Sequence, residues 1–162
     1  MSDLFKLFTE LEAGFAPTPE AVARRMMDIA CLQRGEIFYD LGSGDGALLI
    51  VAAEEFGARA VGVELQRKFA EYSRRRIRSL DLGDMVKVVW GDLFRADISG
   101  ADVLALYLMP NALSKLRPKL ERELKRGARV AVYKYPIEGW KPAETHSVTD
   151  ENGKTKIFLY KL

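Results

Sequence analysis

The residues with most chemical promise stand in one short run, Asp40-Leu41-Gly42-Ser43-Gly44-Asp45-Gly46, and in two later acids, Glu64 and Asp92. Glycines let a backbone turn sharply and approach a ligand with no side chain in the way. The run follows the strand-like Ile37-Phe38-Tyr39 and leads into Ala47-Leu48-Leu49-Ile50-Val51-Ala52, which starts a helix. A helix behind such a loop offers free N–H groups and the positive end of its dipole. Gly42, Gly44 and Ala47 also satisfy the dinucleotide pattern GxGxxA, so the loop alone points to an adenosine-containing ligand without choosing one. Glu64 ends a second strand, where a carboxylate accepts hydrogen bonds from ribose hydroxyls. Gly91-Asp92 follows a third strand and aims another acid at the same crevice, where it can accept a bond from an adenine amino group. Leu93 and Phe94 come next and can pack against the base.

The elements that must position these residues alternate along the chain. Strands are predicted at Glu36 to Leu41, Arg59 to Glu64, Val86 to Trp90, Asp102 to Leu108 and Ala128 to Lys134, with helices at Gly46 to Phe56, Arg67 to Leu80 and Asn111 to Leu124. Such alternation implies parallel strands joined by right-handed crossovers. Thr145 to Asp150 and Thr155 to Tyr160 break the rhythm. They flank Asn152-Gly153, a type I′ hairpin signal. The expected fold is therefore α/β: a Rossmann-like, mostly parallel sheet of seven strands, helices on both faces, and a C-terminal antiparallel hairpin. That hairpin is not the usual ending of an NAD domain. Before the first strand, Thr18 is placed to cap a helix beginning at Pro19 and running to about Cys31. Residues 4 to 11 form an amphipathic stretch, read as a docking helix or a lid within residues 1–14 of one domain spanning 1–162.

Composition narrows the classes. Apolar residues are 48% and charged residues 30% of 162, a globular profile. The net charge of +2 does not favour nucleic acid. Arg74, Arg75, Arg76 and Arg78 read as a solvated helix face, with docking of RNA or an acidic protein as the alternative. No apolar run is long enough to span a bilayer, and Asp3, Glu10 and Glu12 are wrong for a signal peptide. The lone cysteine, Cys31, reads as a buried thiol and fits a reducing cytoplasm. The lone histidine, His146, argues against a metal site or histidine catalysis.

Nearly the whole chain resembles the class I S-adenosylmethionine-dependent methyltransferases. It is most similar to the small archaeal protein-lysine methyltransferases and the mitochondrial enzymes that modify the ATP synthase c subunit. The glycine run, Ala60-Val61-Gly62-Val63-Glu64 and Gly91-Asp92-Leu93-Phe94 carry the superfamily likeness. Pro17-Thr18-Pro19-Glu20, Leu106-Tyr107-Leu108-Met109-Pro110, Leu116-Arg117-Pro118-Lys119-Leu120 and Gly139-Trp140 carry the closer one. The resemblance implies S-adenosyl-L-methionine as cofactor. Asp40 and the backbone of Gly42, Ser43 and Gly44 would hold its methionine amino end, Thr18 its carboxylate, Glu64 its ribose, and Asp92 with Leu93 its adenine. Tyr107, at the end of the fourth strand, becomes the candidate catalytic residue, its ring walling a lysine channel and its hydroxyl orienting the amine. Two positions depart from the family: Ala47 stands where arginine is common. Tyr133-Lys134-Tyr135-Pro136 replaces a His or Glu with acidic neighbours, a more basic lining that disfavours an approaching lysine.

The implied activity is protein-lysine N-methylation of broad specificity, extending to the enzyme's own lysines. Methyl transfer from a sulfonium needs alignment and desolvation rather than a triad or a metal. The short stretch between the fifth strand and the hairpin leaves the pocket open for a side chain on a macromolecule. The alternatives are an RNA methyltransferase using the same cofactor, an NAD-binding oxidoreductase, and a cofactor-binding protein without catalysis.

Overall fold

The computed structural model describes residues 16–162. The amphipathic stretch at residues 4 to 11 lies outside the described residues. Helix α1 (Glu20–Ile29) leads to strand β1 (Ile37–Leu41), then α2 (Ala47–Phe56), β2 (Arg59–Glu64), α3 (Arg67–Ser79), β3 (Val86–Trp90), β4 (Val103–Leu106), α4 (Pro110–Glu123), β5 (Arg129–Tyr133), β6 (Glu144–Asp150) and β7 (Gly153–Lys161). One sheet of seven strands takes the order β3-β2-β1-β4-β5-β7-β6. The first five strands pair in parallel. β7 runs antiparallel between β5 and β6.

Strand burial explains the layers. Along β4, Val103 and Ala105 face the cluster built on α1, α2 and α3. Leu104 and Leu106 face the opposite cluster, where Leu113, Leu116 and Leu120 of α4 pack. Both faces are covered, so β4 is apolar at every position, as a central parallel strand should be. Met26 and Met27 are buried in the first cluster as core filling.

Three local expectations are corrected. Pro19 takes the N-cap position of α1 and no side chain caps the helix, so Thr18 is not a cap. Cys31 is exposed, not buried; its φ of 51° ends α1 in a left-handed turn that points the thiol outward. At the hairpin, Asp150 pairs with Gly153. Glu151 and Asn152 therefore form the turn, and the positive φ falls on Gly153 at 109°. No type I′ turn centred on Asn152-Gly153 is formed, because Asp150 Oδ1 accepts the Asn152 N–H at 2.8 Å and closes the bend one residue earlier.

Candidate active site

The order of the strands reverses between β1 and β4, so the glycine loop opens at the topological switch point. Two backbone bonds staple the loop to the end of β2: the Gly42 and Ser43 N–H groups both donate to the Val63 carbonyl, at 2.8 and 3.0 Å. Gly42 and Gly46 take φ of +87° and +80°, which only glycine adopts without strain. Gly46 then sits at the N-cap of α2. Glu64 braces the loop from the neighbouring strand. Its two carboxylate oxygens accept the N–H groups of Gly44 and Gln66, each at 2.8 Å. A carboxylate has about four acceptor positions, so two further bonds are open to it. Asp45 is held by Ala47 N–H at 3.2 Å and Arg76 at 3.3 Å.

Above the loop lies a cleft of about 180 Å³. Of the residues predicted from sequence, Thr18, Asp40, Gly42, Ser43, Glu64 and Tyr107 all line it. Gly44 adjoins through its bond to Glu64. Asp92 and Leu93 are half-buried at the end of β3 and are not part of the lining. Asp92 instead turns Oδ1 onto the Phe94 N–H at 2.9 Å. Asp45, Leu48, Gln66 and Leu108 also line the cleft and carried no signal beyond their nearness to the motifs.

The charge state of the cleft suits a cationic, amine-bearing ligand. Asp40 is buried between Glu64 and Asp45. Burial first, then those two carboxylates, push its pKa up to about 8. The Ser43 hydroxyl is also buried and has no hydrogen-bond partner. Buried polar groups are rarely left unpaired. An uncompensated carboxyl beside an orphaned hydroxyl, above a loop of N–H groups, fits the ammonium and carboxylate of an amino-acid moiety.

Tyr107 forms the far wall. Its ring meets that of Tyr133 edge-on at 4.7 Å. Lys134 Nζ donates to the Tyr107 hydroxyl oxygen at 3.2 Å and lies over both rings, 5.5 Å from Tyr107 and 5.7 Å from Tyr133. Behind it, Asp150 is 3.7 Å away with its side chain 3% exposed. The Tyr133 hydroxyl donates to the same Asp150 oxygen at 2.5 Å. The hydrogen bond to Tyr107 holds the Lys134 ammonium above its ordinary pKa, partial burial opposing and Asp150 adding to the effect. Donation from Tyr133 and from the Asn152 N–H, with Lys134 nearby, holds Asp150 below the usual carboxylate range. The basic lining foreseen after β5 is therefore an ion pair. Sequence reasoning missed Asp150 because β6 reaches this wall only through long-range pairing with β7.

The remaining motifs are structural in their contacts. Arg117 donates to the Glu138 carbonyl at 2.7 Å and Trp140 Nε1 to Glu121 at 2.8 Å. The LRPKL and GW segments thus clamp α4 to the β5–β6 connection. Lys119 is buried and paired with Glu123 at 2.6 Å. Of the arginine run, Arg74 is spent on the Val88 carbonyl and Arg76 on Asp45, leaving Arg75 and Arg78 exposed. Among the described residues, His146 is paired with Glu144 at 2.9 Å. Among the described residues no group of His, Cys, Asp and Glu forms a metal site.

A doubly wound sheet closed by an antiparallel hairpin, with a glycine loop and acid-lined cleft at its switch point, is the architecture of the S-adenosylmethionine-dependent methyltransferases. Comparison with known proteins agrees. The ANTKMT methyltransferase domain matches residues 40–144. A protein-lysine N-methyltransferase of Saccharolobus islandicus is 40% identical over 90% of this chain and 91% of its own. The mouse lysine N-methyltransferase of the ATP synthase c subunit is 32% identical over 81% of this chain, which spans 52% of that longer protein. A solved structure of an RNA methyltransferase from Salinibacter ruber, in complex with S-adenosyl-L-homocysteine, has a TM-score of 0.84 at 37% identity and covers 90% of this chain and 93% of that one. The chain belongs to the ANTKMT methyltransferase-domain family, and its cofactor is S-adenosyl-L-methionine.

Proposed function

We propose that the protein transfers the methyl group of S-adenosylmethionine to the ε-amine of lysines presented by other proteins. The observation that carries this reading is the Tyr107–Tyr133 wall, which already seats a lysine ammonium over two aromatic faces beside the glycine loop. Similarity to protein-lysine methyltransferases over most of the chain supports it. Bound S-adenosylmethionine supplies a methyl group already activated on a sulfonium. Asp40 pairs with its α-ammonium, the Gly42 to Gly44 backbone and Ser43 hold the same end, and Thr18 reaches the carboxylate. Glu64 takes the ribose hydroxyls, while Asp92 and Leu93 take the adenine. Tyr107 is the catalytic residue in the sense of contact: its ring walls the acceptor and its oxygen orients the amine. Desolvation by this wall favours the neutral, nucleophilic amine.

We read residues 1–162 as one methyltransferase domain acting on a range of proteins, itself included, in the cytoplasm. Among the described residues no helix is long and apolar enough to cross a membrane. A second reading, RNA methylation, is favoured by the likeness to the Salinibacter ruber RNA methyltransferase. Incubation with methyl-labelled cofactor and a cell extract, treated with nuclease or with protease, separates the two. Label that survives nuclease and maps to lysine supports the first reading; label lost with nucleic acid overturns it.

A further inference from the structure

Lys134 stands at the acceptor wall in an unusual backbone state. Its φ is 74°, in the left-handed region that non-glycine residues seldom adopt. Its N–H nevertheless stays in the sheet, donating to the Lys156 carbonyl at 2.9 Å. This departure after the last residue of β5 brings the side chain to the Tyr107 hydroxyl. An ammonium is a donor only, so the Tyr107 oxygen is the acceptor of that 3.2 Å bond. Its hydroxyl proton must point elsewhere, and a second lone pair is left for an amine N–H.

The ion pair is also polar in direction. The Asp150 side chain is 3% exposed and that of Lys134 is 25% exposed. The positive end is the more exposed and the negative end the more deeply buried. Other charged or titratable groups near Lys134 are Tyr107 just after β4, Tyr133 on β5, Tyr135 in the connection after it, and Asp150 on β6, with Glu151 acting on Tyr133 from the turn. Across the cleft, Glu64 is bonded by two backbone N–H groups and Asp45 by Arg76. Asp40, on the proposed function, would meet the cofactor ammonium.

We propose that Lys134, anchored by Asp150, is the positioning residue of the acceptor wall: it fixes Tyr107 and presents a positive charge so that the substrate lysine docks as the neutral amine. This rests on the lysine reading. An ammonium has no lone pair for displacement, and free lysine is largely protonated below a pKa of about 10.4. A like charge nearby disfavours the protonated form. The proton leaves to water before transfer; the amine lone pair then forms the N–C bond as the S–C bond breaks, with that electron pair remaining on sulfur.

The test is the pH profile of kcat, which reports groups in the enzyme–substrate complex, measured with methyl-labelled cofactor and saturating lysine peptides from a nuclease-treated extract. The acid limb of Lys134→Met should lie about one pH unit above wild type, about tenfold slower near neutrality and converging at high pH. Lys134→Arg should keep the wild-type limb. Asp150→Asn, which removes the neutralising partner, should move the limb the other way. Equal thermal stabilisation by S-adenosylhomocysteine in all four proteins checks that the fold and cofactor site are intact. An unshifted limb in Lys134→Met while lysine is still labelled overturns this proposal alone, as does an equal shift in Lys134→Arg. Label confined to nucleic acid in the wild type overturns the lysine reading and this proposal with it.

Discussion

Asp40 should make the ligand-free protein lose stability as pH rises, and Asp40→Asn should abolish that loss. The folded carboxyl holds its proton up to about pH 8, whereas in the unfolded chain it releases it near pH 4. Between those values the folded state binds more protons. Its stability therefore falls with rising pH and levels off above about 8. The full span corresponds to roughly 5 kcal/mol at about 1.4 kcal/mol per pH unit, an upper limit because the cleft admits water. Asparagine carries no charge at any of these pH values and should leave a flatter profile, close to wild type near pH 4 and more stable above pH 8.

Cofactor binding should flatten the wild-type trend. A cationic ammonium beside Asp40 favours the carboxylate, so binding releases a proton and affinity rises with pH, by at most about tenfold per unit between 5 and 7. Chemical denaturation at pH 5, 7 and 9, with and without S-adenosylhomocysteine, measures both slopes. The difference between wild type and Asp40→Asn isolates the contribution of this one group. Equal pH slopes for the two ligand-free proteins would refute the reasoning. So would cofactor affinity in Asp40→Asn that retains the wild-type pH dependence.

Three further outcomes rest on particular contacts. A Cβ on Gly62 would lie 2.5 Å from Leu49 Cδ1 and 2.6 Å from Ser43 Oγ, so Gly62→Ala should cost about 1–3 kcal/mol and weaken S-adenosylhomocysteine binding by calorimetry, since Ser43 belongs to the loop. Tyr107→Phe keeps the ring and loses the oxygen bonded to Lys134; kcat should drop by about tenfold or more with cofactor affinity unchanged, and an unaltered kcat would remove the hydroxyl from the mechanism. Trp140→Phe removes the bond to Glu121 and should lower unfolding stability by about 1 kcal/mol while leaving the KM for the cofactor as it was.

The parallel half of the fold was legible because its signals are local. β2 and β3 match their expected limits residue for residue, each being a short apolar run with polar punctuation at both ends. Gly42 and Gly46 take the positive φ that their loop demanded. The misreadings have a common physical origin in competition between neighbouring groups. Thr18 had the type and place of a cap, yet Pro19 takes the N-cap position and Thr18 lines the cleft. Asn152-Gly153 had the composition of a type I′ turn, yet the Asp150 carboxylate captures the Asn152 N–H. Lys134 looked like a free positive charge because its partner lies 16 residues further on in sequence and joins it only through the antiparallel return of β7.

That last misreading bears on how acceptor choice is built into this fold. On the proposed reading the glycine loop, Glu64 and Asp40 hold the cofactor, and nothing in them distinguishes an amine on protein from one on RNA. Discrimination has to come from the opposite wall. There the described residues offer two tyrosine rings and a lysine whose charge is matched from behind by a buried carboxylate. An RNA substrate would need cations directed outward to meet phosphate, but Arg74 and Arg76 are turned inward onto a carbonyl and a carboxylate, which leaves Arg75 and Arg78 alone of that run. The wall has the aromatic surface that a lysine side chain requires, and on the proposal above Lys134 favours the neutral form of the incoming amine. On the reading proposed above, acceptor identity in this protein is open to revision at Tyr107, Lys134 and Asp150 without disturbing the cofactor end of the cleft.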